Sequence, residues 1–138
     1  MTRFAIDTSA LARLRRPAVS QVLEPLIGAG MVVTTAALDF ESLFSARGLT
    51  EYRQAREWRA RRFEYLPTAD QDWCRALDLQ GSLAYEGRLR QVGMADLLIA
   101  AVCERNRIPL LHYDADFETI ASITGQDARW VVPRGSIA

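Results

Sequence analysis

Short apolar runs alternate with helical segments along this chain, and that order leaves few folds open. Phe4-Ala5-Ile6, Met31 to Thr35, Ile108 to Leu111 and Trp130-Val131-Val132 read as strands. Leu66-Pro67-Thr68 adds a brief extended stretch. Between them the spacing predicts helices over Ala10–Arg15, Pro17–Ile27, Ala36–Arg47, Leu49–Tyr65, Ala69–Gly87 and Asp114–Ile123. A further helix opens at Asp96 and runs through Leu97-Leu98-Ile99-Ala100-Ala101-Val102-Cys103. It is apolar most of the way round and so predicts a buried helix. Strands alternating with helices predict an α/β fold, with a parallel sheet of about four to five short strands covered on both faces.

At 138 residues the chain fits one domain spanning 1–138. Seventeen basic residues balance seventeen acidic ones, which excludes nucleic-acid binding through overall charge but leaves a local basic patch open. Every basic residue is Arg. The absence of Lys excludes a P-loop and a Schiff-base enzyme. Cys74 and Cys103 are the only cysteines, too few for a disulfide framework, and point to a reducing, cytoplasmic setting. A His/Cys zinc site would have to use both of them together with the single histidine, His112. Asp7 interrupts the apolar start, so no signal peptide is expected. No run reaches the ~20 apolar residues of a membrane span.

Function in such sheets gathers beyond the carboxyl ends of the strands. Asp7 follows the first strand there, and Asp114 and Asp116 follow Ile108 to Leu111. Asp96 opens the buried helix, and Glu41 sits in an apolar helix beside Phe40, Leu43 and Phe44. Each acid has an ordinary alternative: Asp7 and Asp96 as helix N-caps, Asp114 and Asp116 as turn and cap residues, Glu41 on a solvated edge. If four of them converge within ~5 Å, each like-charge pair costs roughly 3 kcal/mol at an effective dielectric of ~20. No arginine lies within two residues of Asp7, Glu41 or Asp96 to offset that. A hard divalent cation with oxygen ligands does, and Mg²⁺ or Mn²⁺ fits.

Ile6-Asp7-Thr8-Ser9-Ala10, Glu41, Met94-Ala95-Asp96-Leu97-Leu98-Ile99-Ala100-Ala101 and Leu111-His112-Tyr113-Asp114-Ala115-Asp116-Phe117 stand in an order that spans nearly the whole chain. In these segments the sequence resembles the PIN-domain ribonucleases, and among them the VapC toxins of bacterial type II toxin–antitoxin pairs. The resemblance implies a PIN-like three-layer α/β/α sandwich. It implies Asp7 and Asp96 as principal Mg²⁺ ligands, with Mn²⁺ able to substitute, Glu41 and Asp116 completing the quartet, and Asp114 as an accessory acid. Thr8 or Ser9 would hold a ligand or the scissile phosphate through a hydroxyl. The implied reaction is endonucleolytic hydrolysis of RNA by a metal-activated water, leaving a 5′-phosphate and a 3′-hydroxyl. Structured RNA such as tRNA or rRNA is the implied substrate class. A cognate antitoxin and a homodimer are the implied partners, with no membrane role. The alternative within the family is a catalytically inactive PIN-like module that binds RNA or a partner.

His112 departs from the resemblance, which has Thr or Ser there; it reads as a packed residue or a pH-sensitive auxiliary. Arg13, Arg15 and Arg16 follow the Asp7 motif and are candidate phosphate contacts. Arg53, Arg56, Arg59, Arg61 and Arg62 crowd the next helix with Trp58 among them. That segment reads as an RNA-binding stripe or, with Glu51, Glu57 and Glu64, as a solvated salt-bridged face. Other phosphotransfer and hydrolase patterns fail: Ser9 stands where a dehalogenase-type phosphatase has a second Asp, no Gly-x-Ser-x-Gly elbow exists, and Gly28-Ala29-Gly30 ends a helix rather than opening one.

Overall fold

A computed structural model describes residues 2–138. The order of elements is β1 (Phe4–Ile6), α1 (Thr8–Leu11), α2 (Pro17–Gly28), β2 (Val32–Thr34), α3 (Ala36–Phe44), α4 (Leu49–Arg62), β3 (Glu64–Tyr65), α5 (Asp70–Tyr85), α6 (Met94–Asn106), β4 (Leu110–His112), α7 (Ala115–Thr124) and β5 (Ala128–Trp130). The five strands form one sheet in the order β3-β2-β1-β4-β5, and every pairing is parallel.

Alternation along the central strands builds two cores, one on each face. Ala5, Val33 and Leu110 point to one side, where α5, α6 and α7 pack with Leu79, Leu83, Ile99 and Phe117. Ile6, Val32 and Leu111 point to the other, where α1 and α2 bring Ala10, Val19 and Leu23. This is the three-layer arrangement expected of short parallel strands that have no solvated face. As predicted, the apolar helix is buried: Leu97 through Cys103, all in α6, are each buried. Leu83→Ala in α5, at a fully buried site, is expected to cost about 3 kcal/mol. A lowered urea midpoint with unchanged activity per folded molecule is the expected result.

The chain leaves β1 toward β2 and β3, then returns across the sheet to β4 and β5. The order therefore reverses between β1 and β4, and the carboxyl ends of those two strands face a crevice. Asp7 N–H donates to Leu111 O at 2.8 Å at that point. The residues after both strands, including Asp7 and Asp114, emerge there.

Several boundaries differ from the sequence expectation. The first helix is a single turn, Thr8–Leu11, because Ala12 to Arg15 form turns that deliver Pro17 to the start of α2. The arginine-rich helix stops at Arg62, not Tyr65. Phe63 goes extended to bury in the second core, and Glu64–Tyr65 then pair with β2. The last strand is Ala128–Trp130, three residues that match β4, whereas Val131 and Val132 are buried beyond the ladder. The buried helix starts at Met94 with Gly93 as its N-cap. Asp96 is thus in the first turn and does not cap. Among the described residues no helix is long and apolar enough to cross a membrane.

Candidate metal centre

Asp7 closes β1 and caps α1 with one oxygen only. Its Oδ2 accepts from Ser9 N–H at 3.0 Å and from Ser9 Oγ at 2.5 Å. Its Oδ1 is buried and has no hydrogen-bond partner among the described residues. A buried oxygen left without a donor is costly unless a cation or water meets it. Ser9 Oγ also accepts from Tyr113 N–H at 2.9 Å, tying the end of β1 to the segment after β4. The hydroxyl of Ser9 is therefore committed to orienting Asp7.

The other acids come from three elements. Glu41 is on α3, Asp96 on the first turn of α6, and Asp114 N-caps α7 by accepting from Asp116 N–H at 2.9 Å. Asp7, Glu41 and Asp96 each offer an oxygen within 4.8 Å of the others, and so do Asp96, Asp114 and Asp116. The five acids of the sequence analysis thus meet as two overlapping groups that share Asp96. Asp116 joins Asp96 and Asp114 rather than Asp7 and Glu41.

Electrostatics follow from that crowding. Burial, and then the charges of Asp7, Glu41, Asp114 and Asp116, push the Asp96 carboxyl up to about 8. Burial raises Asp7 as well; the Ser9 hydrogen bonds oppose this and the Asp114 charge adds to it. Glu41 is raised by burial and then by Asp7 and Asp114. Asp116 is raised by burial and then by Asp114. A cation entering such a pocket competes with the proton on Asp96. The donor set is all carboxylate oxygen, with one buried oxygen free, and fits hard divalent ions.

The remaining sequence candidates fall in distinct places. Thr8 Oγ1 lies 3.0 Å from Ser42 Oγ. Arg13 is held inside the chain, donating from Nη1 to Ser9 O and from Nε to Ala138 O, with its guanidinium over the Tyr113 ring. Arg15 and Arg16 are exposed after α1. His112 is fully buried against Phe117 and Trp130, and burial pulls it down to about 4, so its ring is neutral. Its Nδ1 accepts from Asp114 N–H at 3.2 Å, which steadies the turn that presents Asp114. That is the packed reading, with no exposed auxiliary face.

The arginine-rich helix divides. Arg61 pairs with Glu57 on a solvated face, and Arg56 donates to Tyr52. Arg59 instead is buried and ion-paired with Asp39 at 2.8 Å. The sequence reading missed Ser42, Asp39 and this role of Arg59. The one available signal was that Ser42 directly follows Glu41.

The family model described as PIN domain matches residues 4–123. Ribonuclease VapC21 of Mycobacterium tuberculosis is 42% identical over 135 residues, covering 98% of each chain. Ribonuclease VapC51 of the same species is 41% identical over 98% of this chain and 97% of its own. Among solved structures, the chain is similar in fold to one described as DNA-bound VapBC from Salmonella typhimurium. That likeness has a TM-score of 0.73 at 16% identity, over 96% of this chain and 100% of that one. A second, described as VapBC-5 from Mycobacterium tuberculosis, aligns at a TM-score of 0.65 and 24% identity over 94% and 99%. With its crevice of five acids and relatives that match from end to end, the chain belongs to the PIN-domain family, in its VapC ribonuclease branch.

Proposed function

We propose that this protein is a Mg²⁺-dependent endoribonuclease toxin, with Mn²⁺ able to substitute, that cuts structured RNA such as tRNA or rRNA and is restrained by a cognate antitoxin. The observation that carries the reading is the pair of acid groups sharing Asp96, beside a buried Asp7 oxygen that none of the described residues satisfies. Asp7, Glu41 and Asp96 would hold one ion, and Asp96 with Asp114 and Asp116 a second. When bound, such ions lower the pKa of water and stabilise charge on a phosphodiester in reaction.

The chain's own residues do the rest. Ser9 fixes the Asp7 carboxylate so that Oδ1 faces the pocket. Asp114 and its cap fix the start of α7, and with it Asp116. Five carboxylates repel a polyanion, so RNA approaches only a pocket whose acids are neutralised. Arg15 and Arg16, exposed and uncommitted, are the phosphate contacts, whereas Arg13 serves the frame around Ser9 and Tyr113. Contacts of this kind weaken as salt rises.

The antitoxin's seat is the groove between α3 and α4, lined by Phe40, Leu43, Phe44, Tyr52 and Tyr65. Phe40 and Phe44 are 78% and 92% exposed, an unusual load of bare aromatic surface one residue and three residues from Glu41. A tail that covers these rings can present a basic side chain to the acids. A second copy of the chain covers an exposed apolar stretch along α5, at Leu77 and Tyr85, to form a homodimer. The setting is the cytoplasm, where Cys74 and Cys103 stay free thiols.

The test uses antitoxin-free protein and total bacterial RNA. Discrete fragments with 5′-phosphates are expected with Mg²⁺ or Mn²⁺, and none with EDTA. Intact RNA under every metal, from protein shown to be folded, would overturn the reading.

A further inference from the structure

Arg59 stands in a helix of exposed arginines yet is only 4% exposed. All three faces of its guanidinium are used. Nε donates to Asp39 Oδ1 at 2.8 Å, Nη2 to Thr34 Oγ1 at 3.0 Å, and Nη1 to Ser42 Oγ at 3.1 Å. Thr34 passes its own proton on to Asp39 Oδ1 at 2.8 Å. The cluster therefore holds Ser42 from below by a group that can only donate.

The next bond, between two hydroxyls, can run either way, and Arg59 allows the direction that frees a proton at its far end. Ser42 Oγ accepts from Arg59 with one lone pair, which leaves its proton free to be given to Thr8 Oγ1 at 3.0 Å. With the bond running that way, Thr8 keeps its own hydroxyl proton to offer to a phosphate oxygen. Thr8 follows Asp7, and Ser42 follows Glu41, so this chain of bonds also pins α1 to α3 between two of the acids. Ser9, the other hydroxyl of the motif, donates to Asp7 and is spent. A pocket walled by carboxylates offers a phosphate few donors. The Thr8 hydroxyl is one whenever Ser42 is the donor of their shared bond.

We infer that Arg59 and Ser42 are positioning residues of the ribonuclease reaction, which hold the Thr8 hydroxyl as a hydrogen-bond donor to a phosphate oxygen of the RNA strand. The inference rests on the nuclease reading above. It assigns a buried arginine, on a helix that carries none of the five acids, to the chemistry rather than to RNA binding or to a solvated face.

Steady-state cleavage of a short RNA by Thr8→Val, Thr8→Ser, Ser42→Ala, the Thr8→Val/Ser42→Ala double variant and Arg59→Lys tests it. Thr8→Val is expected to lower kcat roughly 100-fold, the loss typical of one donor to a charge-bearing oxygen, and Thr8→Ser to recover most of it. Ser42→Ala is expected to lower kcat roughly tenfold with KM and melting temperature near wild type. Its decisive property is that it adds nothing once Thr8 is Val, because both act through one hydroxyl. Arg59→Lys, which keeps the charge but cannot reach Ser42 and Asp39 together, is expected to mimic Ser42→Ala. If it does not fold, the Ser42 cycle carries the test. Full activity of Thr8→Val, or an undiminished Ser42→Ala effect in the Thr8→Val background, overturns the inference while wild-type cleavage keeps the nuclease reading. Wild-type protein that leaves RNA intact overturns both.

Discussion

Asp96→Asn is expected to lower RNA cleavage by ~10³ or more and, at the same time, to raise the thermal stability of the metal-free protein. Both follow from its place in both acid groups. Loss of a shared ligand removes charge stabilisation worth several kcal/mol, and each 1.36 kcal/mol is tenfold in rate. The stability gain has the opposite origin. Asp96 titrates at about 8 in the folded protein, far above an unfolded aspartate, so folding near neutral pH must take up a proton there. The folded state binds more protons than the unfolded one between about pH 4 and 8, and stability falls as pH rises through that window. Asn carries no such cost. Allowing for solvent screening at a partly exposed group, the gain at pH 7–8 is about 1–2 kcal/mol, roughly 5 °C, and it vanishes near pH 4. Melting curves of both proteins in EDTA from pH 4 to 8 check this. Parallel curves would mean that Asp96 ionises freely and that the acids are less closely coupled than their geometry indicates.

Divalent-ion affinity is expected to climb about tenfold per pH unit up to about pH 8 and then level off. At pH 6 or 7 an ion entering the pocket must displace the proton on Asp96, and displacing one proton gives a slope of one. Calorimetric titration with Mn²⁺ in two buffers of different ionisation enthalpy counts the proton released. The expected count is near one below pH 7 and falls toward zero above pH 8. Affinity therefore rises from pH 5 to 8, and the same preparation holds less metal in an acidic buffer than in an alkaline one. A pH-independent affinity would place the ion elsewhere.

The sequence carried the frame of the fold because its signals are local. The apolar runs that became β1, β2 and β4 and the solid apolar face of α6 need no partner to be recognised. β3, two residues long, is too short to show a period, and it exists because Phe63 leaves the helix to enter the core. The acids were legible as a set, and two of the ordinary alternatives hold for residues that also line the crevice. Asp7 and Asp114 do cap helices, each with a single oxygen. A carboxylate has two, so capping and facing the pocket are not rival roles. Arg59 was illegible for a different reason. Arg56, Arg59 and Arg62 share one residue type at one spacing. What separates them is Asp39, Thr34 and Ser42, brought beneath α4 by the sheet.

The central strand has a consequence for the time course of synthesis. β1 emerges first from the ribosome, but its second neighbour, β4, follows more than a hundred residues later, with Ala5 opposite Leu110. Asp7 and Glu41 are therefore made long before α6 and β4 bring Asp96, Asp114 and Asp116 to them. At translation speeds of about 5–20 residues per second, several seconds separate the first acid from the last. Contacts so distant in the chain also form late in folding, after loop closure has been met. A nascent or truncated chain holds fragments of the acidic pocket but not the pocket. The cell making this enzyme thus meets the acidic pocket only in the finished molecule.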